Sequence, residues 1–595
     1  MHARSALAAV LILLVTCLAR AEEEVIVTAT RLGSTTGVWK DRVRVISEEE
    51  IDSWSGATLA DLLARASVLD VQRRGPAQAD LSLRGSGFEQ VLVLIDGVPV
   101  NDPQTGHHNL DLPITIDDIA RIEILPGIAS SIHGPGAFAG VINIVTKSGI
   151  PEEMVFRASA GSFSTHSSSF SLAANNLKPN RKLAYSARAS VSLEHTVGHR
   201  PGTEATSLVL SHGATIFHPG GLTRFRLGYQ DRHFGAADFY GPWPSKENTG
   251  TFLMFLSSVL GDPDNLEVLP RLSFRRHDDD FLLDRSEPTG FRSDHQTRVM
   301  GAELAFRLNK TRIGSLVLGL EHNEQEIESS TLGDHDRRRF GVFFEHGVKL
   351  ARWLHMNWAV RADWGDAEFL SPSISLRIDP LKDLKILVSA ARGFRLPSFT
   401  ELYYSSPANQ GEPSLLPEKS TAADLTVVFQ AAKGITLTAS GFIKRDTNLV
   451  DWIKAVETAP WKATNVGSIT SGGAEVRIQI RPKHNTSLEL GYTRLELSKN
   501  KPAPFSKYVF RQPVDDILLR ATGPLLFGIN GTLSARFRRR PETDGAILID
   551  ARLSRPLGPV NLFLEASNIL DAHEEEIPGA PLPGFSLMAG MSVVH

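Results

Sequence analysis

The chain is organised around the stretch VLVLIDGVPVNDPQTGHHN, residues 91–109. Its first five residues, Val91, Leu92, Val93, Leu94 and Ile95, are apolar without a break. A short run this rich in β-branched residues fits a strand buried on both faces. Asp96-Gly97 then signals a tight hairpin, because glycine takes positive φ without steric cost. Val98-Pro99-Val100 returns the chain, and residues 101–109 form a polar tip. A dry strand pair carrying a wet, side-chain-rich loop is one way for a compact domain to display a recognition surface. An ordinary hairpin of a soluble sheet reads equally well from these residues alone, so the flanking chain decides.

Upstream, Val43-Arg44-Val45-Ile46 reads as a strand, and Ser47 with Glu50 makes a capping box for a short helix from Glu48. Leu59, Leu62 and Leu63 share one face of a second helix over residues 58–65. Residues 68–72 and 81–85 are strand-like and flank a polar loop at 73–78. Downstream, residues 114–121 read as a helical turn after Pro113, Ile122-Glu123-Ile124-Leu125 as a strand, and residues 128–132 as a short helix. A glycine-rich turn at 133–137 leads to a last strand at 140–147. The whole is a mixed α+β module.

The 595 residues exceed one ordinary soluble domain, so several domains or one very large β-barrel are expected. Lys+Arg 63 against Asp+Glu 67 excludes the basic balance of a nucleic-acid protein. Residues 1–21 resemble a secretory signal peptide: His2 and Arg4, an apolar core at 7–15, then Ala19-Arg20-Ala21 before Glu22. The single cysteine, Cys17, lies inside that segment, so the exported chain is expected to lack disulfides. No later stretch approaches the roughly 18 apolar residues of a membrane helix. The chain is therefore either secreted and soluble or a membrane barrel, a closed hydrogen-bonded sheet being the remaining way to span a bilayer.

From residue 149 onward the texture changes to short alternating segments. Thr223-Arg224-Phe225-Arg226-Leu227-Gly228-Tyr229 and Asn357-Trp358-Ala359-Val360-Arg361-Ala362 set polar residues opposite apolar ones. Arginine on alternate positions of many strands is odd for a soluble sandwich. It is expected where one sheet face meets lipid and the other a polar lumen.

The order VIVTATR, LADLLARASVLDVQ, LSLRGSG, VLVLIDGVPVN, RIEILPGIASSIHGPGAFAGVINIVTK closely resembles the plug domain of TonB-dependent outer-membrane receptors, nearest the vitamin B12 and ferric-siderophore branch. Residues 393–404 and 409–418 resemble that family's mid-barrel signature, and Asn568-Ile569-Leu570-Asp571 its last hairpin. The resemblance implies an α+β plug domain inside a large antiparallel transmembrane β-barrel of about 22 strands. The implied organisation is a signal peptide at 1–21, TonB box and linker at 22–37, plug at 38–148 and barrel at 149–595. Two departures stand out. The chain ends in His595, where the family usually has an aromatic residue read by the barrel-assembly machinery, and Tyr is scarce, 7 against 29 Phe.

The resemblance also implies a role for each part. Glu24, Val25, Ile26, Val27, Thr28 and Ala29 look like the TonB box, a strand-former suited to β-augmentation by TonB and its inner-membrane energising complex. Few residues separate Glu22 from that box, so transport without direct transcriptional signalling is expected. The plug apices, with Arg73, Arg74 and Gln78 in one and Asp102, Gln104, Thr105, His107, His108 and Asn109 in the other, are expected to face a metal-chelate ligand, cobalamin or a ferric siderophore. Phe239, Tyr240 and Trp243 form an aromatic loop suited to stacking on a flat chelate, or to packing on itself. Outer-membrane lipid and the assembly machinery are the other expected partners, in a Gram-negative outer membrane.

No catalytic constellation emerges: there is no G-x-S-x-G, H-E-x-x-H or C-x-x-C. No cofactor and no metal ligand set is assigned. His107 and His108 are adjacent and would point apart on a strand. His277-Asp278-Asp279-Asp280 with Asp284 reads as a solvated loop, or less readily as a hard-cation site. The leading expectation is TonB-dependent import of a metal chelate. The alternative is a passive porin-like channel or surface receptor with a vestigial plug.

Overall fold

A computed structural model describes residues 31–32 and 41–595, leaving aside 55–57, 67–68, 149–151, 178–181, 312, 407, 484, 498–504, 509–510, 542 and 578. The expected strand at 24–29 lies outside the described residues.

The N-terminal module is built on a five-stranded sheet. Its strands are β1 (Arg44–Ser47), β4 (Val91–Ile95), β5 (Val98–Pro99), β6 (Ile119–Pro126) and β7 (Gly140–Thr146), ordered β1-β6-β7-β4-β5. A separate pair, β2 (Leu69–Arg73) and β3 (Ala79–Leu83), carries the 74–78 loop. β4 pairs in parallel with β7, and the other contacts in the larger sheet are antiparallel. Asp96 and Gly97 have φ of 50° and 79°, the two positive values of a type I′ hairpin turn. β4 is buried on both faces, as its unbroken apolar run requires. Val91, Val93 and Ile95 pack with Leu62, Leu63, Ile142 and Ile144, and the same cluster takes in Leu253 and Phe255 of the barrel wall. Leu92 and Leu94 pack on the other side with Leu125, Ile132, Val141 and the wall's Ala359. Each such side chain contributes about 1.5–3 kcal/mol by burial.

The Ser47 cap forms as expected, but the box is half made, because the Glu50 carboxylate turns to Arg44; the full box stands at the second helix, where none was expected. Ser47 accepts from the Glu50 amide at the start of Glu48–Asp52, and Thr58 forms a full capping box with Asp61 at the start of Leu59–Ala64. The helical turn expected at 114–121 shrinks to a 3-10 turn, Ile116–Asp118, and β6 already begins at Ile119. Thr115 makes no side-chain cap, and Ile119, Ile122 and Ile124 are better served by pairing with β7.

The remainder closes into a barrel of 22 antiparallel strands, the number the resemblance implied. Its first strand, Glu153–Gly161, pairs with its last, Ser586–Val594. Backbone bonds between Met154 and His595, 2.8 and 2.9 Å, complete the junction. Connections at that end are tight turns such as 219–220 and 382–383, whereas those at the opposite end include the long loops 236–245, 396–417, 448–467 and 568–585. Strand alternation sorts side chains by solvent. In Asp515–Pro524, Ile517 and Leu519 face outward, each 39 % exposed, while Leu518 and Arg520 are buried inside. The run 277–280 belongs to the strand Leu266–Leu282. The solvated loop expected there is therefore absent, and the period of two turns His277 and Asp279 inward.

The module sits inside the barrel and meets its wall through ion pairs as well as through the shared apolar clusters. Arg84 makes a two-pronged contact with Glu475, 2.7 and 2.9 Å, and also reaches Asp424. Arg44 pairs with Glu489 at 3.0 Å, Arg65 with Glu565 at 3.1 Å, and Arg540 with Asp70 at 2.9 Å. Arg31, ahead of the module, pairs with Glu303, and Leu32 is buried against Ala305, Val317 and Phe343 of the wall.

Candidate functional site

The two apical loops of the plug lie toward the end of the barrel that carries the long connections. The polar tip, expected to be wet, is enclosed: every residue from 102 to 109 is buried. The cause is cover from above. The 396–417 loop donates backbone N–H groups from Phe399 and Thr400 to the carbonyls of Pro103 and Gln104, at 2.9 and 3.1 Å. The wall also supplies partners. Asp102 receives Arg275 and the Thr297 hydroxyl, and the Gln104 amide donates to Asp279 at 2.7 Å. Asn109 accepts from the Asp102 N–H at 3.2 Å, and the Thr105 hydroxyl lies 3.4 Å from Glu89.

The second apex is held from both sides. Arg73 binds Glu576 of the 568–585 loop and Asp61. Arg74 pairs with Asp80 at 3.0 Å and donates to the Phe239 carbonyl. Gln78 donates to the Tyr240 hydroxyl at 2.8 Å, which itself donates to Glu247 at 2.9 Å. Phe239 is buried over Gly75, where a Cβ would lie 2.5 Å from the ring. Only glycine lets the aromatic loop descend this far. Trp243 alone of the aromatic trio stays substantially exposed, at 46 %. In this conformation the 236–245 loop caps the plug.

The adjacent histidines part company. Both sit on a 3-10 turn, Gly106–His108, capped by Thr105. His107 stacks on Phe88 with centroids 4.2 Å apart and binds Asp80 at 2.7 Å. Burial pushes His107 down to about 4, so at neutral pH the neutral ring donates its Nδ1–H to Asp80. Burial alone would raise Asp80; His107 and then Arg74, which both hydrogen-bond its carboxylate, outweigh that and hold it at about 2. His108 turns to the wall. Burial opposes its charge, but Asp111 and Asp279 raise it well above the ordinary histidine value.

Two groups of ligating side chains share His108, one with Asp111 and His277, the other with Glu247 and Asp279. Within each group the donor atoms lie within 4.8 Å of one another, and all five residues are buried. Sequence reading did not assemble this cluster. Its one visible signal was His277-x-Asp279, which only becomes a shared face once the run is placed on a strand.

A cavity of about 410 Å³ runs along the seam between plug and wall, lined by Arg73, Gln78, Ile114, Asp117, Arg232 and Glu565 among others.

A closed lipid-facing barrel filled by an α+β plug defines an outer-membrane receptor of the plugged-barrel class. Residues 157–568 match the family model described as TonB dependent receptor-like, beta-barrel, and residues 40–141 match the TonB-dependent Receptor Plug Domain. The chain therefore belongs to the TonB-dependent receptors, transporter and receptor proteins of the Gram-negative outer membrane. It is 33 % identical over 152 residues to the vitamin B12 transporter BtuB of Vibrio vulnificus, a match covering 25 % of each chain. It is 22 % identical over 456 residues to BtuB of Photobacterium profundum, covering 73 % of this chain and 72 % of that one. The Vibrio match thus spans about a quarter of its relative's length. Among solved structures, a mutant of the ferric enterobactin receptor PfeA from Pseudomonas aeruginosa superposes with TM-score 0.76 at 14 % identity, covering 93 % of this chain and 98 % of that one. The ferric yersiniabactin uptake receptor FyuA from Yersinia pestis gives 0.74 at 15 %, covering 93 % and 97 %. These structural likenesses speak to fold.

Proposed function

We propose that this chain imports a metal chelate, cobalamin or a ferric siderophore, into the periplasm, driven by TonB acting on residues 24–29. The observation that carries the reading is the filled lumen. The plug shares apolar clusters and many ion pairs with the wall, so opening a path costs free energy that an outer membrane lacks on its own. Arg31 and Leu32, just beyond the proposed box, are fastened to the wall, so tension on the N-terminus meets these contacts first. The export signal at 1–21, the box and linker at 22–37 and the boundary between plug and barrel near 148 belong to the same proposal.

In this reading the apices Arg73, Arg74, Gln78 and 102–109, with Tyr240 and Trp243, meet the ligand after the capping loops lift. The names of the similar proteins support the ligand class: vitamin B12 for the sequence relatives, ferric siderophores for the structural ones. Deleting residues 24–29 is expected to abolish uptake of radiolabelled chelate and leave surface binding intact. Undiminished uptake refutes TonB coupling. High basal conductance in planar bilayers, independent of the box, would instead establish a passive channel.

A further inference from the structure

Two imidazoles from different parts of the chain meet at the seam. His108 comes from the plug tip and His277 from the wall, with ring centroids 4.6 Å apart. Asp111 completes the group: its Oδ2 lies 3.5 Å from His108 Nδ1 and 3.9 Å from His277 Nε2. A charge-assisted hydrogen bond closes to about 2.7–2.9 Å. Ligands of a tetrahedral ion bound at about 2.0–2.2 Å sit farther apart, about 3.3–3.5 Å. The observed spacing lies nearer the second pattern.

The unused atoms agree. His277 is fully buried, and its Nε2 has no hydrogen-bond partner. A buried imidazole nitrogen without a partner asks for an explanation. Every atom on the far side of the three ligands has a polar neighbour. His277 Nδ1 lies 2.8 Å from the Thr251 hydroxyl, and Asp111 Oδ1 accepts from Arg232 at 2.7 Å. His108 Nε2 faces Asp279 at 3.4 Å and Glu247 at 3.7 Å. Metal-bound histidines use their second nitrogen in this manner. The carboxylates of Asp111, Glu247 and Asp279 gather here against Arg232, since Arg275 is engaged by Asp102. The enclosure therefore favours a cation: the charged His108 ring when the site is empty, and a metal ion that displaces its proton when the site is filled.

We propose that His108, Asp111 and His277 bind a divalent transition-metal ion of the zinc class, leaving one coordination position open. Two nitrogens and one oxygen select such an ion over calcium or magnesium, which take oxygen ligands. Two ligands come from the plug and one from the wall, so the ion fastens plug to barrel. The site takes the free ion and does not rest on chelate import.

The test is Zn²⁺ titration of chelator-stripped full-length receptor in detergent, followed by calorimetry. A single tight event is expected. His108→Gln and His277→Gln should each abolish it, and Thr251→Val should weaken it about 10–100-fold. Asp278→Asn, on the outward face of the same strand, should leave it unchanged. Co²⁺ bound to the unaltered receptor should show the visible bands of a four-coordinate nitrogen and oxygen site, a readout independent of how the variants fold. Absence of stoichiometric binding, or full-strength binding in both histidine variants, overturns the proposal. A receptor that binds Zn²⁺ here but imports no chelate sinks only the chelate reading. One that imports a chelate but takes no Zn²⁺ sinks only this site.

Discussion

Replacing Arg84 by alanine tests whether the ionic seam holds the plug. The Arg84 guanidinium grips Glu475 with two hydrogen bonds, also reaches Asp424, and lies 4.4 Å over the Phe442 ring. All three charged groups are largely buried. Removing one partner of a buried pair typically costs about 3–5 kcal/mol, because the other charge is left uncompensated. Asp424 keeps Arg42 at 3.3 Å, so Glu475 is the group most exposed to that penalty. The expected loss is therefore at the low end, about 3 kcal/mol. Hydrogen exchange in detergent reads it directly: the amides of β3 should exchange roughly 100-fold faster while barrel strands remote from Glu475 keep their protection. The double variant with Glu475→Leu should lose less than the sum of the singles, by about 1–3 kcal/mol. Unchanged β3 exchange in Arg84→Ala, or additive singles, would refute the idea that these pairs secure the plug.

Three other outcomes follow from the same structure. Burial, then the nearby Glu401 charge, raises Glu89 from an ordinary 4.5 to about 8. The folded plug thus holds a proton that the unfolded chain releases. That contribution to stability is complete below about pH 4.5 and is lost as pH rises through about 8, so Glu89→Gln should flatten the fall in plug melting temperature between pH 5 and 8.5. Leu94→Ala removes a fully buried side chain shared with the wall and should cost about 2–5 kcal/mol, measured as faster exchange across β4 and β7. Gly75→Val places a side chain where a Cβ would already lie 2.5 Å from Phe239, so it should lift the 236–245 loop and shift the fluorescence of Trp243.

Local features were legible and assembled ones were not. β4 announced itself because an unbroken apolar pentamer has few alternatives, and Asp96-Gly97 has the chemistry of the turn it makes. The helix capped by Ser47 was readable for the same reason, and the second helix by its apolar face, though not by its Thr58 cap. The strand number of the barrel was not, since alternation marks a face without marking where a strand begins or ends. The enclosure of residues 102–109 depends on loops some 290 residues away, and no property of Asn101-Asp102-Pro103 discloses them. The ligand cluster draws on residues 108, 111, 247, 277 and 279, so no spacing rule reaches it.

The pairing of the first barrel strand with the last has a bearing on how the molecule is made. The plug leaves the ribosome before any of the wall exists. The strand Glu153–Gly161 must then wait for Ser586–Val594 before its free edge is covered. Contacts this distant in sequence form late. Closure is therefore a single, final event at which the plug is either already enclosed or left outside, and an exposed strand edge is the hazard of any delay. Time, as much as affinity, governs whether a receptor is born with its stopper in place.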